Sequence, residues 1–369
     1  MNELLELTDE IAARELAPTA DRHERDGTFP RDVFRTLGHA GLLGLPYPQR
    51  WGGAEVGYGD YLQVLEALAR RWLTVALGVS VHTLSCHALA TAGTDEQRDR
   101  WLPQMVGGDL LGAYCLSEPQ SGSDAAGLTS SAVREGDGYR ISGTKAWITH
   151  GGVADFYTVM TRTSPDRTAG ITAFLVPGDA EGLSAATPER KMGMRGSVTA
   201  QVTLDDVRVA ESRRLGAEGT GFRIALEALD SGRLGIAACA VGLAQAALDV
   251  AVQYATQREQ FGQPISRFQG VSFTLADMAT SITAGRALYL DAARRRDEGE
   301  TFSTQAAMAK LFCTDAAMAV TTSAVQILGG AGYVEDFPVE RYMREAKVLQ
   351  IVEGTNEIQR LVIGRALTS

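Results

Sequence analysis

The sequence predicts an α+β protein built from three consecutive units: an all-α unit, a small antiparallel β unit and a second all-α unit. Two changes of pattern carry this reading. Apolar residues recur at helical spacing through the first hundred or so positions, then give way to short β-branched and aromatic runs punctuated by Gly, Pro and Asp. The helical spacing returns after "GAEGTGF" and persists to the C-terminus. The third observation is size: 369 residues with 45% hydrophobic content can bury a large core. The units are placed at residues 1–112, 113–216 and 217–369.

Within the first unit, "MNELLELTDEIAAREL" reads as an amphipathic helix and lacks the basic start and continuous apolar core of a secretory signal. In "FPRDVFRTLGHAGLLGL", Pro30 suits a first helical turn and Gly38 or Gly41 can end it. Residues 73–93 form the one stretch of membrane length, but His82, His87 and several hydroxyls interrupt it, so a buried helix is expected and no membrane contact. Thr94 and Gln97 match a capping box ahead of "RDRWLPQM". The second unit supplies "AYCLS", "YRISG", "KAWIT", "FYTVMTRT", "GITAFLVPG" and "VTAQVTLDDVRV" as strands. None is followed by a long helix, which argues against a Rossmann or P-loop domain. In the third unit, Phe222, Leu226, Leu229, Arg233, Ile236, Ala240, Leu243, Ala247 and Leu248 recur at helical spacing, and Gly235 and Gly242 permit close helix approach. Two more long helices follow, the last stopping at Gly329 and Gly330, and such helices bury their faces most readily as an antiparallel bundle.

Charge and cysteine usage narrow the function. A net charge of −10 opposes attraction to nucleic acid or anionic lipid. Cys86, Cys115, Cys239 and Cys313 are widely spaced with no CxxC pair, so neither a metal site nor a redox pair is expected, and a reducing cytoplasm fits best. The sequence contains no HExxH, GxSxG or P-loop lysine.

Three stretches carry the remaining chemistry. "SEPQSGSDAAG", residues 117–127, offers backbone N–H groups and short hydroxyl donors to an anionic or carbonyl-rich ligand, or is a surface turn. In "KAWITHGG", residues 145–152, Trp147 and Thr149 share one face of a strand, where an indole can stack on a flat heterocycle or be a half-buried core tryptophan. "QIVEGTNEIQR" places Glu353 between an apolar run and Gly354, as a desolvated base or a solvated loop carboxylate.

Taken with "QREQFGQPISRFQG" and "QILGGAGYVEDFPVERYMREAKVL", in this order and at these distances, the sequence resembles the acyl-CoA dehydrogenase family along essentially its whole length. The resemblance implies an N-terminal helical domain, a middle β-barrel and a C-terminal four-helix bundle, a homotetramer, and bound FAD. Carried over motif by motif, it implies Tyr114, Leu116, Ser117, Gly122 and Ser123 along the flavin and substrate side, with Trp147 and Thr149 against the isoalloxazine ring. Arg258, Gln260, Phe261, Gln326 and Gly330 would hold the FAD of a neighbouring subunit, and Thr355 and Glu357 the pyrophosphate and adenosine portion in the same subunit. Ser123, Asp230, Arg233 and Gly354 would contact the substrate.

The activity so implied is α,β-dehydrogenation of an acyl-CoA thioester to the trans-2-enoyl thioester, as part of fatty acid metabolism. Glu353 would take the α proton while flavin N5 takes the β hydride, with an electron-transferring flavoprotein as acceptor. Some branches of the family carry the base near "LDSGRLG", but here that position offers Ser231 and Gly232, leaving Glu353 without a rival. Ser80 and Leu84 are placed on the acyl pocket. The alternatives are a dehydrogenase of carrier-protein-bound acyl or aminoacyl thioesters, and a flavoprotein scaffold without this turnover.

Overall fold

The computed structural model describes residues 2–368. Six helices open the chain: α1 (Asn2–Ile11), α2 (Ala17–Asp26), α3 (Arg31–His39), α4 (Tyr58–Arg71), α5 (Leu73–Ala92) and α6 (Asp95–Val106). Pro30 stands at the N-cap of α3, and the Thr94–Gln97 capping box is formed in both directions at the start of α6. Because α5 is apolar around its whole circumference, it is buried nearly throughout.

Eight strands follow: β1 (Gly112–Cys115), β2 (Ser131–Glu135), β3 (Gly138–Thr149), β4 (Phe156–Arg162), β5 (Ile171–Pro177), β6 (Leu183–Ala185), β7 (Thr199–Ala210) and β8 (Arg214–Leu215). They form one sheet in the order β6-β7-β3-β2-β4-β5-β8, with β1 beside β4. The expected unit is therefore present but mixed: β1 runs parallel to β4, and the β2–β4 contact is parallel as well. "YRISG" and "KAWIT" are one continuous strand, β3, in which two register shifts against β7 take up the irregularity that suggests a break in the sequence.

The third unit begins with α7 (Gly221–Gln257) and a small hairpin of β9 (Glu259–Gln260) and β10 (Gln263–Pro264). It continues with α8 (Gln269–Asp297), α9 (Ser303–Leu328), α10 (Gly330–Tyr333), α11 (Val339–Leu349) and α12 (Asn356–Thr368). The first and third units share a core in which Leu65 and Leu68 of α4 and Val79 of α5 join Ile236 and Leu243 of α7 and Ile282 of α8. This packing is close because glycines face the partner helices. A Cβ at Gly235 would overlap the Ser80 hydroxyl, and one at Gly242 would overlap the Glu66 carbonyl oxygen. Leu226 departs from the expected inward face and is 42% exposed.

Among the described residues three helices, not one, are long and apolar enough to cross a membrane: Leu73–Ala92, Gly221–Gln257 and Ser303–Leu328. The first two turn 89% and 78% of their most apolar windows inward, so the protein's own core accounts for their composition, whereas Ser303–Leu328 turns 39% inward.

Gly242→Ala is expected to overpack the α4–α7 contact and lower stability by about 1–3 kcal/mol. Urea unfolding should show a lower midpoint at an unchanged slope.

Candidate active site

The turn between α11 and α12 carries Glu353, and its backbone is unusual. Glu353 has φ +52° and Gly354 has φ +86°, so the bend anticipated at the glycine begins one residue earlier, at a residue type that rarely adopts it. Three side chains fix the turn. Lys310 of α9 donates to the Gly354 carbonyl at 3.0 Å and to Asn356 Oδ1 at 2.8 Å. Gln359 donates to the same carbonyl at 2.8 Å. Asn356 in turn donates to Asp315 at 2.7 Å.

Both carboxylate oxygens of Glu353 are buried and lack a hydrogen-bond partner among the described residues. They lie against α7 at Gly232, where an added Cβ would overlap one oxygen and stand 2.7 Å from the carboxyl carbon. A glycine is thus required opposite the carboxylate. Burial pushes the Glu353 carboxyl up to about 7, against the pull of the Arg233 and Lys310 cations. Burial likewise lowers Lys310 to about 8, against the attraction of Glu353. Asp230 is no competing base, because it is paired with Arg233 at 2.5 Å and accepts from Ser303 at 2.9 Å.

Tyr114 of β1 faces the same region: its phenol oxygen is buried without a partner, and burial together with the nearby Glu353 charge raises its pKa. Leu116 is buried, Ser117 half-buried, and Gly122 and Ser123 are exposed. This loop is tied to β3 by a fully buried ion pair that the sequence reading missed. Lys145 donates to Glu118 at 2.8 Å, to the Met160 carbonyl at 2.6 Å and to the Leu116 carbonyl at 3.3 Å. Glu118 also accepts from the Thr129 and Ser130 N–H groups at 2.7 and 3.0 Å. Burial acts to raise its carboxyl, but Lys145 and these hydrogen bonds prevail and hold it at about 2.

Two residues beyond Lys145, the register shift and a φ of +62° turn Trp147 out of the sheet, leaving it 67% exposed, with Thr149 partly exposed. Thr355 caps α12, accepting from the Ile358 N–H at 3.4 Å. Glu357 points outward, 3.7 Å from Arg360.

Arg258, Gln260, Phe261, Gln326 and Gly330 are all exposed, Phe261 by 94%. They are not brought to Glu353 within the chain: Arg258 lies 26 residues beyond Gly232 at the far end of α7, roughly 40 Å away at the helical rise. Lys310 was also missed, although it is the one basic residue of α9, a signal present in the sequence.

Gly232 also lines a cavity of about 180 Å³ between α5 and α7. Ser80 and Leu84 line it as expected, together with Tyr47, Tyr58, Thr83, His87 and Arg296.

Comparison with known proteins accounts for this arrangement along the whole chain. The models for the N-terminal, middle and C-terminal domains of acyl-CoA dehydrogenase match residues 2–109, 113–207 and 219–368. An acyl-CoA dehydrogenase of Bacillus subtilis is 44% identical over 97% of this chain and 95% of its own length. Butyryl-CoA dehydrogenase from Megasphaera elsdenii superposes with a TM-score of 0.98 at 40% identity, covering 100% of this chain and 98% of that one. A chain from a study of the electron-transferring flavoprotein of Acidaminococcus fermentans gives 0.98 at 41% identity, covering 99% and 97%. The prolyl acyl carrier protein oxidase AnaB gives 0.95 at 29% identity, covering 100% and 98%.

Lys145→Met is expected to destabilise the protein by about 3–5 kcal/mol, because it leaves the Glu118 charge buried without compensation. Adding Glu118→Gln, which removes the charge and keeps an acceptor for one of the two N–H groups, should recover part of that loss in chemical denaturation.

Proposed function

The chain belongs to the acyl-CoA dehydrogenase family, and from that premise we propose that it oxidises a short acyl thioester between its α and β carbons, with Glu353 as the base. The family makes it an FAD-dependent oxidoreductase. The residues present fit that group. Trp147 offers an uncovered aromatic face, Tyr114 an unpartnered buried hydroxyl, and the Thr355-capped start of α12 an anion-favouring helix end. The loop from Leu116 to Ser123 and Thr149 would complete the hold. When bound, FAD supplies the acceptor for the β hydrogen.

The observation that carries the reading is a carboxylate in a dry cleft with no partner and a proton affinity near neutrality. An α C–H is a weak acid, so the base must be strong and the developing enolate must meet a donor. Burial strengthens Glu353 as a base, and its own N–H, which makes no hydrogen bond among the described residues, is a donor beside it. Arg233, with its Nε buried and unpartnered, keeps a cation near the carboxylate that is formed by deprotonation. The helices exclude water from the site, which strengthens each of these interactions.

An acyl-CoA substrate is favoured by the similarity to butyryl-CoA dehydrogenase, and an electron-transferring flavoprotein as acceptor by the Acidaminococcus similarity. A carrier-protein thioester is the second reading, supported by the likeness to AnaB; comparing flavin reduction by CoA and carrier-protein thioesters separates the two. The exposure of Arg258, Gln260, Phe261, Gln326 and Gly330 supports their service to a neighbour's FAD in a homo-oligomer.

Glu353→Gln should retain FAD but lose roughly 10²- to 10⁴-fold in the rate of anaerobic flavin bleaching by butyryl-CoA. Bleaching at the wild-type rate would remove the base assignment. Since the base works only when deprotonated and burial raises its pKa to about 7, the wild-type rate should climb about tenfold per pH unit below 7 and level off above it. Stopped-flow absorbance across pH 5–9 tests this.

A further inference from the structure

We propose that the cavity beside Gly232 is built for an acyl group whose far end carries a carboxylate, with Arg296 as its partner. This rests on the assignment of Glu353 as base, which fixes where the reacting carbons lie. Gly232 is common to the two: the Glu353 carboxylate rests on it, and it lines the cavity of about 180 Å³ between α5 and α7.

The walls of that cavity are not those of a hydrocarbon slot. Arg296, at the end of α8, places its guanidinium carbon 3.8 Å above the centre of the Tyr58 ring, and its Nε lies 3.4 Å from the Ser231 hydroxyl. Its one ion-pair contact among the described residues is with Asp297 at 3.7 Å. Asp297 is itself engaged, accepting the Tyr58 N–H with both oxygens at 3.0 and 2.8 Å. A guanidinium has five N–H donors in a fixed fork, so Arg296 retains donors and most of its charge for a ligand.

His87 gives an independent indication. Its Nε2 is buried without a partner, and burial and the Arg296 charge keep the ring neutral, with a pKa of about 4. Neutral imidazole can donate one hydrogen bond to an anion. The Tyr58 hydroxyl, by contrast, is already used, donating to the Ser231 carbonyl at 2.9 Å.

Energetics separates the possible occupants. An unsubstituted alkyl tail would strip water from the guanidinium and from His87 Nε2 and return no hydrogen bond. A carboxylate accepts from the Arg296 fork in a charge-assisted pair and leaves lone pairs for His87. Specificity built on such groups is large, because the wrong ligand leaves them buried and unpaired.

The test uses the FAD-loaded enzyme and anaerobic flavin bleaching by two series of CoA thioesters: butyryl-, valeryl- and hexanoyl-CoA, and the mono-CoA thioesters of the five- and six-carbon dicarboxylic acids with their neutral methyl esters. The expected result is a second-order rate constant of flavin bleaching at least tenfold higher for a dicarboxylic thioester than for its methyl ester. In Arg296→Gln that preference should collapse to within about twofold. Dissociation constants measured by flavin spectral shifts in Glu353→Gln should show the same tenfold preference and its loss in Glu353→Gln/Arg296→Gln. Bleaching by butyryl-CoA with no preference for the carboxylate would overturn this inference and leave the base assignment standing. An equal weakening of every CoA thioester by Arg296→Gln would overturn it too, since Arg296 would then serve the part common to all. Failure of both series to bleach the flavin would remove the dehydrogenase reading and this inference with it.

Discussion

A carboxylate kept from water without a hydrogen bond is unstable in its charged form, and the surroundings of Glu353 are organised by that constraint. The group must be dry to be a strong base, yet it must remain able to ionise near neutrality. Burial supplies the first condition, while Arg233 and Lys310 supply the second without forming a hydrogen bond that would quench it. Lys310 is directed to the Gly354 carbonyl and Asn356 instead, so it fixes the turn and contributes charge from a distance. Gly232 gives the carboxylate its space, and the left-handed backbone at Glu353 aims it there. Such strain persists only where the surroundings hold it, and three side chains do so here.

The β unit applies the opposite rule to the same type of side chain. Glu118 is as buried as a carboxylate can be, but a cation and two backbone N–H groups satisfy it, so its carboxyl is held at about 2 and it takes no part in proton transfer at neutral pH. Its effect is mechanical. Lys145 grips the Leu116 carbonyl, the Met160 carbonyl and Glu118 together, so the loop leading to Ser123 and the strand leading to Trp147 move as one piece. Two glutamates whose carboxylates are buried in one protein thus divide into a fixing group and a proposed base according to how many donors reach them.

The order of the units was legible because it depends on period: apolar spacing distinguishes α5 or α7 from β5 without reference to anything distant. Local chemistry was equally readable at Thr94 and Gln97, and at Gly235 and Gly242, where a short residue implies a near neighbour. Glu353 stood out through its apolar flank. The supporting residues did not, because their meaning is made by tertiary contact. Lys145 reads as a strand lysine until Glu118 is folded against it, 27 residues away in sequence, and Lys310 meets the Gly354 carbonyl across 44 residues. Parallel pairing of β1 with β4 is likewise a product of the crossover and leaves no local mark. The alternation that suggested two strands at "YRISG" and "KAWIT" was a pair of bulges in one, and the second of these turns Trp147 outward.

The length of α7 carries the argument past a single chain. Gly232, about a third of the way along this 37-residue helix, meets the carboxylate, and the helix ends at the hairpin bearing Phe261. A rigid rod that holds Gly232 and this hairpin roughly 40 Å apart at the helical rise cannot bring both to one site. Yet Phe261 and Trp147, at 94% and 67%, are among the most exposed large apolar side chains of the described residues, and exposed aromatic surface of this kind is stabilised when covered. A second copy of the chain, set so that its hairpin meets the first copy's sheet, would cover both. The same helix would then serve two sites at once, one through Gly232 and one through the hairpin at its C-terminal end. In the proposed homo-oligomer, Phe261 would reach a site that its own chain keeps roughly 40 Å away.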